Sequence, residues 1–597
     1  MTTSLRWRLT AFAAVVLALL AGAVPAGALG ADEHRADPPA GEPLTVAAIV
    51  EGPDGPAVEQ HEAPTPEAAE RLVAALQARD DVMTAEVDVV MRALQEPTGG
   101  DPLRDLQWAL DRLRVETAWT VGDARGRVVA VVDSGVDAAH PDLQGVVLNG
   151  FDALDPRTLG KVDPLTPCPG RSWDCRGHGT HVAGIIAALV GNDEGVAGLA
   201  RGAQILPVRV LDAAGYGSSS DVARGVLFAA GAGAHVINLS LGSTEPSSVL
   251  DFAVAYATRR GALVVSASGN VGHYIPHPVV HPAADPWTLA VGATDRDDRV
   301  VAFSGRGPWL DLVAPGVDIW SARPISGSVA YDSDSGTSMA TPYVSAVAAV
   351  VQRRHPTLSP MRLAAHLRAT ATDLPPAGRD PASGDGLVNL VGALSRTPGA
   401  ATACDPRRVP RSEFADTARS THRAAIECAV WYAVAQGTTG STYSPAGPVT
   451  RAQMASFIAR LLDRSGTQLP AGGAQRFSDV PAGNVHREAI NRLAAAGIVQ
   501  GQGTTFSPNG LVTRDQMASF LVRAFDYAQA QVRRAALPPA GRQFADTAGN
   551  PHEPNINKAA AAGLANGLTT TTYGPRQGVR RDQMATFVIR ALELLAA

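Results

Sequence analysis

The chain has 597 residues, too many for one hydrophobic core, and this length implies roughly three to five domains. A hydrophobic share of 45% with 18% charged residues is ordinary for globular protein and argues against a disordered or fibrous chain. The net charge of −6 and the lack of any basic stripe exclude a nucleic-acid partner, and no P-loop or dinucleotide fingerprint is present.

Residues 1–30 read as a signal peptide. Arg6 and Arg8 precede an apolar run from Ala11 to Val24, and Pro25 with small residues follows, so cleavage is expected between Ala26 and Gly30. That run falls short of the roughly 20 residues a bilayer span needs, and no later segment is apolar enough to cross. Export is therefore expected, with no membrane association after signal removal. Residues 31–100 begin with a polar, Pro-rich lead. Leu44 to Val50 then predicts a strand, Pro66 to Gln77 an amphipathic helix and Val82 to Val90 a second strand.

From Asp101 to Ser395 the pattern alternates. Strands are expected at 127–132, 204–210, 235–239 and 262–267, and helices at 178–190, 218–230 and 247–260. Such alternation predicts an α/β fold, a mostly parallel sheet with helices on both faces. The strand RVVAVV (Arg127 to Val132) runs into Asp133, at the strand end where sites in open α/β sheets lie. Gly177-His178-Gly179-Thr180-His181 opens an apolar helix, and the glycines beside His178 leave an imidazole edge open. In Gly336-Thr337-Ser338-Met339-Ala340-Thr341-Pro342, a Gly-led turn delivers Ser338 to the N-terminus of another apolar helix. There the free backbone N–H groups and the helix dipole favour developing negative charge. A serine hydroxyl needs a base, and an imidazole oriented by a carboxylate is the usual one. His181, one turn beyond His178, reads as a packed or capping side chain.

The order Asp133, His178, Ser338, with VINLSLG (Val236 to Gly242), VVSASGN (Val264 to Asn270) and LVAPG (Leu312 to Gly316), resembles the subtilases, the subtilisin-like serine peptidases. The resemblance covers most of residues 101–395. It implies a serine endopeptidase acting on polypeptides, with catalytic Asp133, His178 and Ser338, and with Asn270 in the oxyanion hole. Ser240, Leu241 and Gly242 on one side, and Ala267, Ser268 and Gly269 on the other, would wall the S1 pocket, which takes the residue before the scissile bond (P1). Apolar or aromatic P1 residues are the family default. Leu211 to Ser219 would supply an edge that pairs with extended substrate. The α+β segment within 31–100 is similar to the family's inhibitor-type prodomain, with self-cleavage expected between Met91 and Gly100. No cofactor is needed for the chemistry. A structural calcium ion is implied at Asp142, with Asn192 in its partner loop. A wall-bound scaffold or adhesin with an inactive peptidase domain is the competing reading, and the intact Asp133, His178, Asn270 and Ser338 speak against it.

Four cysteines in an exported chain favour disulfides over a metal site. Three connectivities are open, and the economical one pairs Cys168 with Cys175 and Cys404 with Cys428. A Pro- and Arg-rich linker, 396–412, precedes an internal repeat. Phe414-Ala415-Asp416, Phe477-Ser478-Asp479 and Phe544-Ala545-Asp546 open three copies, spanning 413–466, 474–530 and 541–597. Each copy closes on a helix with Arg-x-Gln-Met-Ala, beginning at Arg451, Arg514 and Arg581. These resemble surface-layer-homology repeats, which implies attachment to cell-wall polysaccharide at a bacterial surface. Gln453, Gln516 and Gln583 stand where that family carries glutamate. The three arginines suit either anionic sugar substituents or helix capping.

Overall fold

The structure is a computed structural model. It describes residues 44–52, 55–87, 100–154, 161–162, 177–212, 214–325, 330–399, 404–406, 408–473 and 475–596. The expected signal peptide, nearly all of the expected prodomain cleavage region, and Cys168 and Cys175 lie outside them. Two compact units divide between Glu96 and Pro97.

The first unit is a three-stranded antiparallel sheet in the order β2-β1-β3, from β1 (Leu44–Gly52), β2 (Gly55–Ala63) and β3 (Val82–Val87), with helix α1 (Pro66–Gln77). Thr65 caps α1 by accepting a hydrogen bond from the Ala68 N–H, and Pro66 occupies the first helical turn, where its missing donor costs nothing. The two-residue period of β1 puts Val46, Ala48 and Val50 into a small core with Ala69, Leu76 and Ala85. Strand β2 was not expected. Its sequence, GPAVEQHEA, is polar, and Val58 is well exposed, as an edge strand allows.

The second unit is built on an eight-stranded sheet. Its strands are β4 (Val128–Asp133), β5 (Gly150–Asp152), β6 (Lys161–Val162), β7 (Gln204–Arg209), β8 (Val236–Leu239), β9 (Leu263–Ala267), β10 (Thr288–Thr294) and β11 (Leu312–Pro315). They lie in the order β11-β10-β9-β8-β4-β7-β5-β6, and every pairing is parallel except β5 with β6. β4 reads as unbroken apolar sequence because both its faces are covered. Val129 and Val131 enter one core, while Ala130 and Val132 enter the other.

Helix α2 (His178–Ala187) lies on one face with the long helix α5 (Thr337–Arg354), while α3 (Ser219–Gly231) and α4 (Ser248–Arg259) lie on the opposite face. A hairpin of β12 (Ile319–Ala322) and β13 (Tyr331–Asp334) packs against α2.

Each repeat contributes two helices, α6 (Arg423–Trp431) and α7 (Arg451–Arg464), α8 (Arg487–Ala495) and α9 (Arg514–Gln531), and α10 (Glu553–Ala561) and α11 (Arg581–Ala596). Packing runs between repeats, α7 on α8, α9 on α10 and α11 on α6. They close on themselves in a cycle. The Val449 N–H donates to the Val579 carbonyl at 2.9 Å, Val512 to Val449 at 3.0 Å, and Val579 to Val512 at 2.9 Å. Each Phe-x-Asp carboxylate holds its own repeat's aromatic turn: Asp416 accepts from the Tyr443 N–H, Asp479 from Phe506 and Asp546 from Tyr573.

The preceding repeat's arginine then covers that ring. Arg451 lies over Phe506 at 4.6 Å, Arg514 over Tyr573 at 4.6 Å and Arg581 over Tyr443 at 4.7 Å. The same guanidinium groups donate to the carbonyls of Phe506, Tyr573 and Tyr443. These arginines thus help to close the cycle, a role that neither sugar contact nor helix capping describes. Gln453 and Gln583 accept from the Thr450 and Arg580 N–H groups, so each glutamine supplies the capping oxygen that a glutamate would.

The repeats are fused to the eight-stranded sheet and its helices. Arg259, at the end of α4, is fully buried and donates to the Ser465 carbonyl, Thr467 Oγ1 and the Ala528 carbonyl. Trp287 Nε1–H donates to the Arg464 carbonyl at 2.7 Å. Gly466 lies so close to α4 that a Cβ there would come within 2.3 Å of the Tyr256 nitrogen. Arg408, from the expected linker, is buried against Asp311 and donates to the Pro286 and Thr288 carbonyls, and Cys404 is disulfide-bonded to Cys428. The described part of that linker is therefore a docked strap.

Candidate active site

The site forms at the carboxyl ends of β4, β8 and β9, where α2 and α5 begin. Asp133, the last residue of β4, is fully buried, and its Oδ1 accepts from His178 Nδ1 at 2.7 Å and from the Ser134 N–H at 2.7 Å. α2 presents His178 there because Gly179 has no side chain. A Cβ at Gly179 would stand 2.0 Å from the Gly135 carbonyl oxygen. His178 keeps 16% of its side chain exposed, enough for its other ring nitrogen to meet substrate.

Ser338 sits in the first turn of α5. Its hydroxyl donates to the Ser240 carbonyl at 3.1 Å, and its own carbonyl accepts from Ser240 Oγ at 2.8 Å. Pro342, four residues on, has no N–H to offer that carbonyl, which frees it for Ser240. Ser240 Oγ also accepts from Asn238 Nδ2 at 3.0 Å, and Ser345 Oγ donates to Asn238 Oδ1 at 2.8 Å. The serine turn is thus tied to β8 by a chain of side chains, two of them from the VINLSLG run.

Asn270 follows β9. Its Oδ1 accepts from the Thr337 N–H at 3.0 Å and from Thr337 Oγ1 at 3.1 Å. Those donors fix the amide orientation and turn its Nδ2 amino group toward the Ser338 turn, 3.3 Å from where a Gly336 Cβ would lie.

Ser240, Leu241 and Gly242 continue from β8, and Ala267, Ser268 and Gly269 close β9 and its exit. The two strands pair in parallel with Leu239 opposite Ser266, so the two segments leave the sheet side by side. Ser243 and His281 bridge the first segment to the loop that follows Asn270. Leu211 to Ser219 carries no strand pairing among the described residues; the Asp212 N–H donates to the Tyr216 carbonyl to close a loop. His181 is fully buried, with its Nε2 3.2 Å from the Asp332 carbonyl. Burial first, and then the Arg323 charge, hold its pKa down at about 3, so it stays neutral inside the fold.

At the expected calcium position, the fully buried Asp142 accepts from Asn192 Nδ2 and from the Val196 N–H, both at 2.9 Å. Asp101, which sequence reasoning did not select, accepts from the N–H groups of Gly191 and Asn192 in the same loop. Its carboxyl pKa is raised, chiefly by burial and further by the nearby Asp142 charge. Among the described residues no three carboxylate, imidazole or thiol groups converge as a metal site would require. Among them too, no helix is long and apolar enough to cross a membrane.

The Subtilase family model matches residues 124–386, and the S-layer homology domain model matches 416–455, 476–518 and 543–585. M-protease of Shouchella clausii (strain KSM-K16) is 41% identical over 316 residues, which cover 53% of this chain and 77% of that protein. Subtilisin Savinase of Lederbergia lenta is 43% identical over 291 residues, covering 49% and 99% respectively. Thermitase of Thermoactinomyces vulgaris is 41% identical over 268 residues, covering 45% and 90%. This chain belongs to the subtilase family: it is a serine endopeptidase carried to the outside of the cell and held at its surface by three S-layer homology domains.

Proposed function

We infer that Ser338 is the nucleophile, His178 its general base and Asp133 the carboxylate that orients the imidazole. The observation that carries this is the 2.7 Å bond between His178 Nδ1 and the buried Asp133, beside a serine at a helix N-terminus. The Nδ1–H bond leaves Nε2 as the base. To react, the Ser338 hydroxyl gives up the Ser240 carbonyl and donates to Nε2. As Oγ attacks the scissile carbonyl, the proton passes to His178, which later returns it to the leaving amine. Negative charge then collects on the substrate oxygen, where Asn270 Nδ2 and the Ser338 N–H would donate to it. Ser240 to Gly242 and Ala267 to Gly269 would flank the P1 side chain.

The same chemistry would cut the first unit from the second, within the stretch from Met91 to Gly100, so that the α+β unit acts as a prodomain. The closed repeat cycle would hold the enzyme on cell-wall polysaccharide. A calcium ion suits Asp101, Asp142 and the loop at Asn192, where the Asp142 charge acts on Asp101 and both carboxylates meet the same loop. The remaining ligands would be carbonyl and amide oxygens, and the ion would stiffen this loop without entering the reaction.

Fluorophosphonate labelling tests the triad once every form, the variants included, has been freed of the first unit by an added protease that is then removed. Wild type should label rapidly, whereas Ser338→Ala should not label and His178→Ala should label slowly. Equal labelling of all three would remove the assignment.

A further inference from the structure

The two wall segments, Ser240–Gly242 and Ala267–Gly269, both end in glycine, which ordinarily leaves a slot open between them for a large side chain. Here the space in front of both glycines is already taken. A Cβ on Gly242 would lie 2.8 Å from Val280 Cγ1; one on Gly269 would lie 3.0 Å from Val280 Cγ2 and 3.3 Å from Cγ1. One isopropyl group thus stands against the open faces of both walls.

It is also held there. Val280 is 3% exposed and belongs to a core cluster with Trp309, Leu310 and Val313. Its carbonyl accepts from the Ala284 N–H at 2.8 Å. The next residue, His281, exchanges two backbone hydrogen bonds with Ser243, at 2.8 and 2.9 Å. A β-branched side chain has few rotamers to retreat into, and the bridge fixes its backbone beside Gly242.

We propose that Val280 closes the floor of the S1 pocket, so that this peptidase selects small P1 side chains, alanine above all, against leucine and phenylalanine. The proposal rests on the wall assignment above and departs from the broad apolar or aromatic preference the family resemblance implies. The discrimination is steric: an alanine methyl fits in front of the isopropyl group, while an aromatic ring displaces a methyl packed into the core. A clash of this kind rejects the larger substrate without any new attraction for the smaller one.

The test uses the full processed chain, with active sites counted by fluorophosphonate titration. Succinyl-Ala-Ala-Pro-X p-nitroanilides are compared at X = Ala, Leu and Phe. Wild type should show kcat/KM for Ala exceeding that for Phe by about tenfold or more, the scale that a pocket-size mismatch produces. Val280→Gly should raise the Phe-to-Ala ratio by about tenfold; Val280→Ala, a milder change to the core, should raise it by a smaller factor in the same direction. A wild type that cleaves Phe as well as Ala, or titratable variants whose ratio does not move, overturns the floor assignment and leaves the triad standing. A wild type that neither titrates nor cleaves any of the three overturns the triad reading, and this proposal falls with it.

Discussion

Ser240 and Ser338 hold one another through two reciprocal hydrogen bonds, hydroxyl to carbonyl in each direction. One of the two exists only because Pro342 cannot serve the Ser338 carbonyl. A missing helix donor that would normally cost stability has become the means of docking the serine turn against β8.

Removing the Ser240 hydroxyl should therefore loosen the nucleophile without deleting it. Ser240→Ala leaves the Ser338 carbonyl unpaired. The expected result is a loss of about 1 kcal/mol in stability and of about tenfold in kcat through misplacement of the reacting atoms. Melting and steady-state kinetics on the titrated enzyme read both; an unchanged kcat would show that the pair does not position Ser338.

His181 makes the fold acid-sensitive. Its folded pKa of about 3 lies below the ordinary 6.5, so between those values the unfolded chain binds a proton that the folded protein does not. Stability is then complete above about pH 6.5 and is lost as the pH falls toward 3. Melting temperatures from pH 7 to 4 should drop less steeply for His181→Asn than for wild type. Parallel curves would assign the acid loss to other groups.

Asp285 should act in the opposite direction. Burial, with the neighbouring Asp251 charge next in weight, pushes its pKa from 3.8 up to about 8, although the Trp287 N–H bonds its carboxylate. The folded protein thus holds a proton that the unfolded chain releases, so stability falls as the pH rises from about 4 to 8. Asp251 also pairs with Arg464 of the repeats, which places this strain at the junction between peptidase and anchor. Asp285→Asn should raise the melting temperature at pH 9 relative to wild type and change it less at pH 5. A variant that gains nothing at pH 9 would contradict this.

Deleting residues 412–597 should free the enzyme from cell-wall preparations, but at a cost to the peptidase itself. Arg259 and Trp287 would lose their partners Ser465, Thr467, Ala528 and Arg464, and the apolar face that the repeats cover would be returned to water at about 25 cal/mol per Å². The truncated enzyme should melt well below the full chain. An unchanged melting temperature would mean that the junction carries no stability.

The candidate site was legible in the sequence because its residues stand at strand ends and helix starts marked by glycine, as at His178 and Ser338. The buried strands announced themselves too, since a strand covered on both faces must be continuously apolar, as at Val128 to Val132. β2 was hidden by its polar face. The junction was hidden for a different reason: Arg259 finds its partners at Thr467 and Ala528, more than two hundred residues away, and nothing in the chain marks that pairing. The closing arginines of the repeats were ambiguous because a guanidinium suits a sugar acid and an aromatic face equally well. Val280 gave no signal in a loop without a recognisable pattern. Only the three-dimensional structure brings it against Gly242 and Gly269.

Turnover of an unfolded protein substrate by Ser338→Ala, set beside the Ser338→Ala, His178→Ala double variant, with every form freed of the first unit by an added protease that is then removed, tests the mechanism most directly. If the serine and imidazole act as one unit, the single change should cost about 10⁶ in kcat, a magnitude borrowed from subtilisin, and the second change should cost almost nothing more. A Ser338→Ala protein that keeps most of its turnover, or a double variant whose losses multiply, would contradict the account.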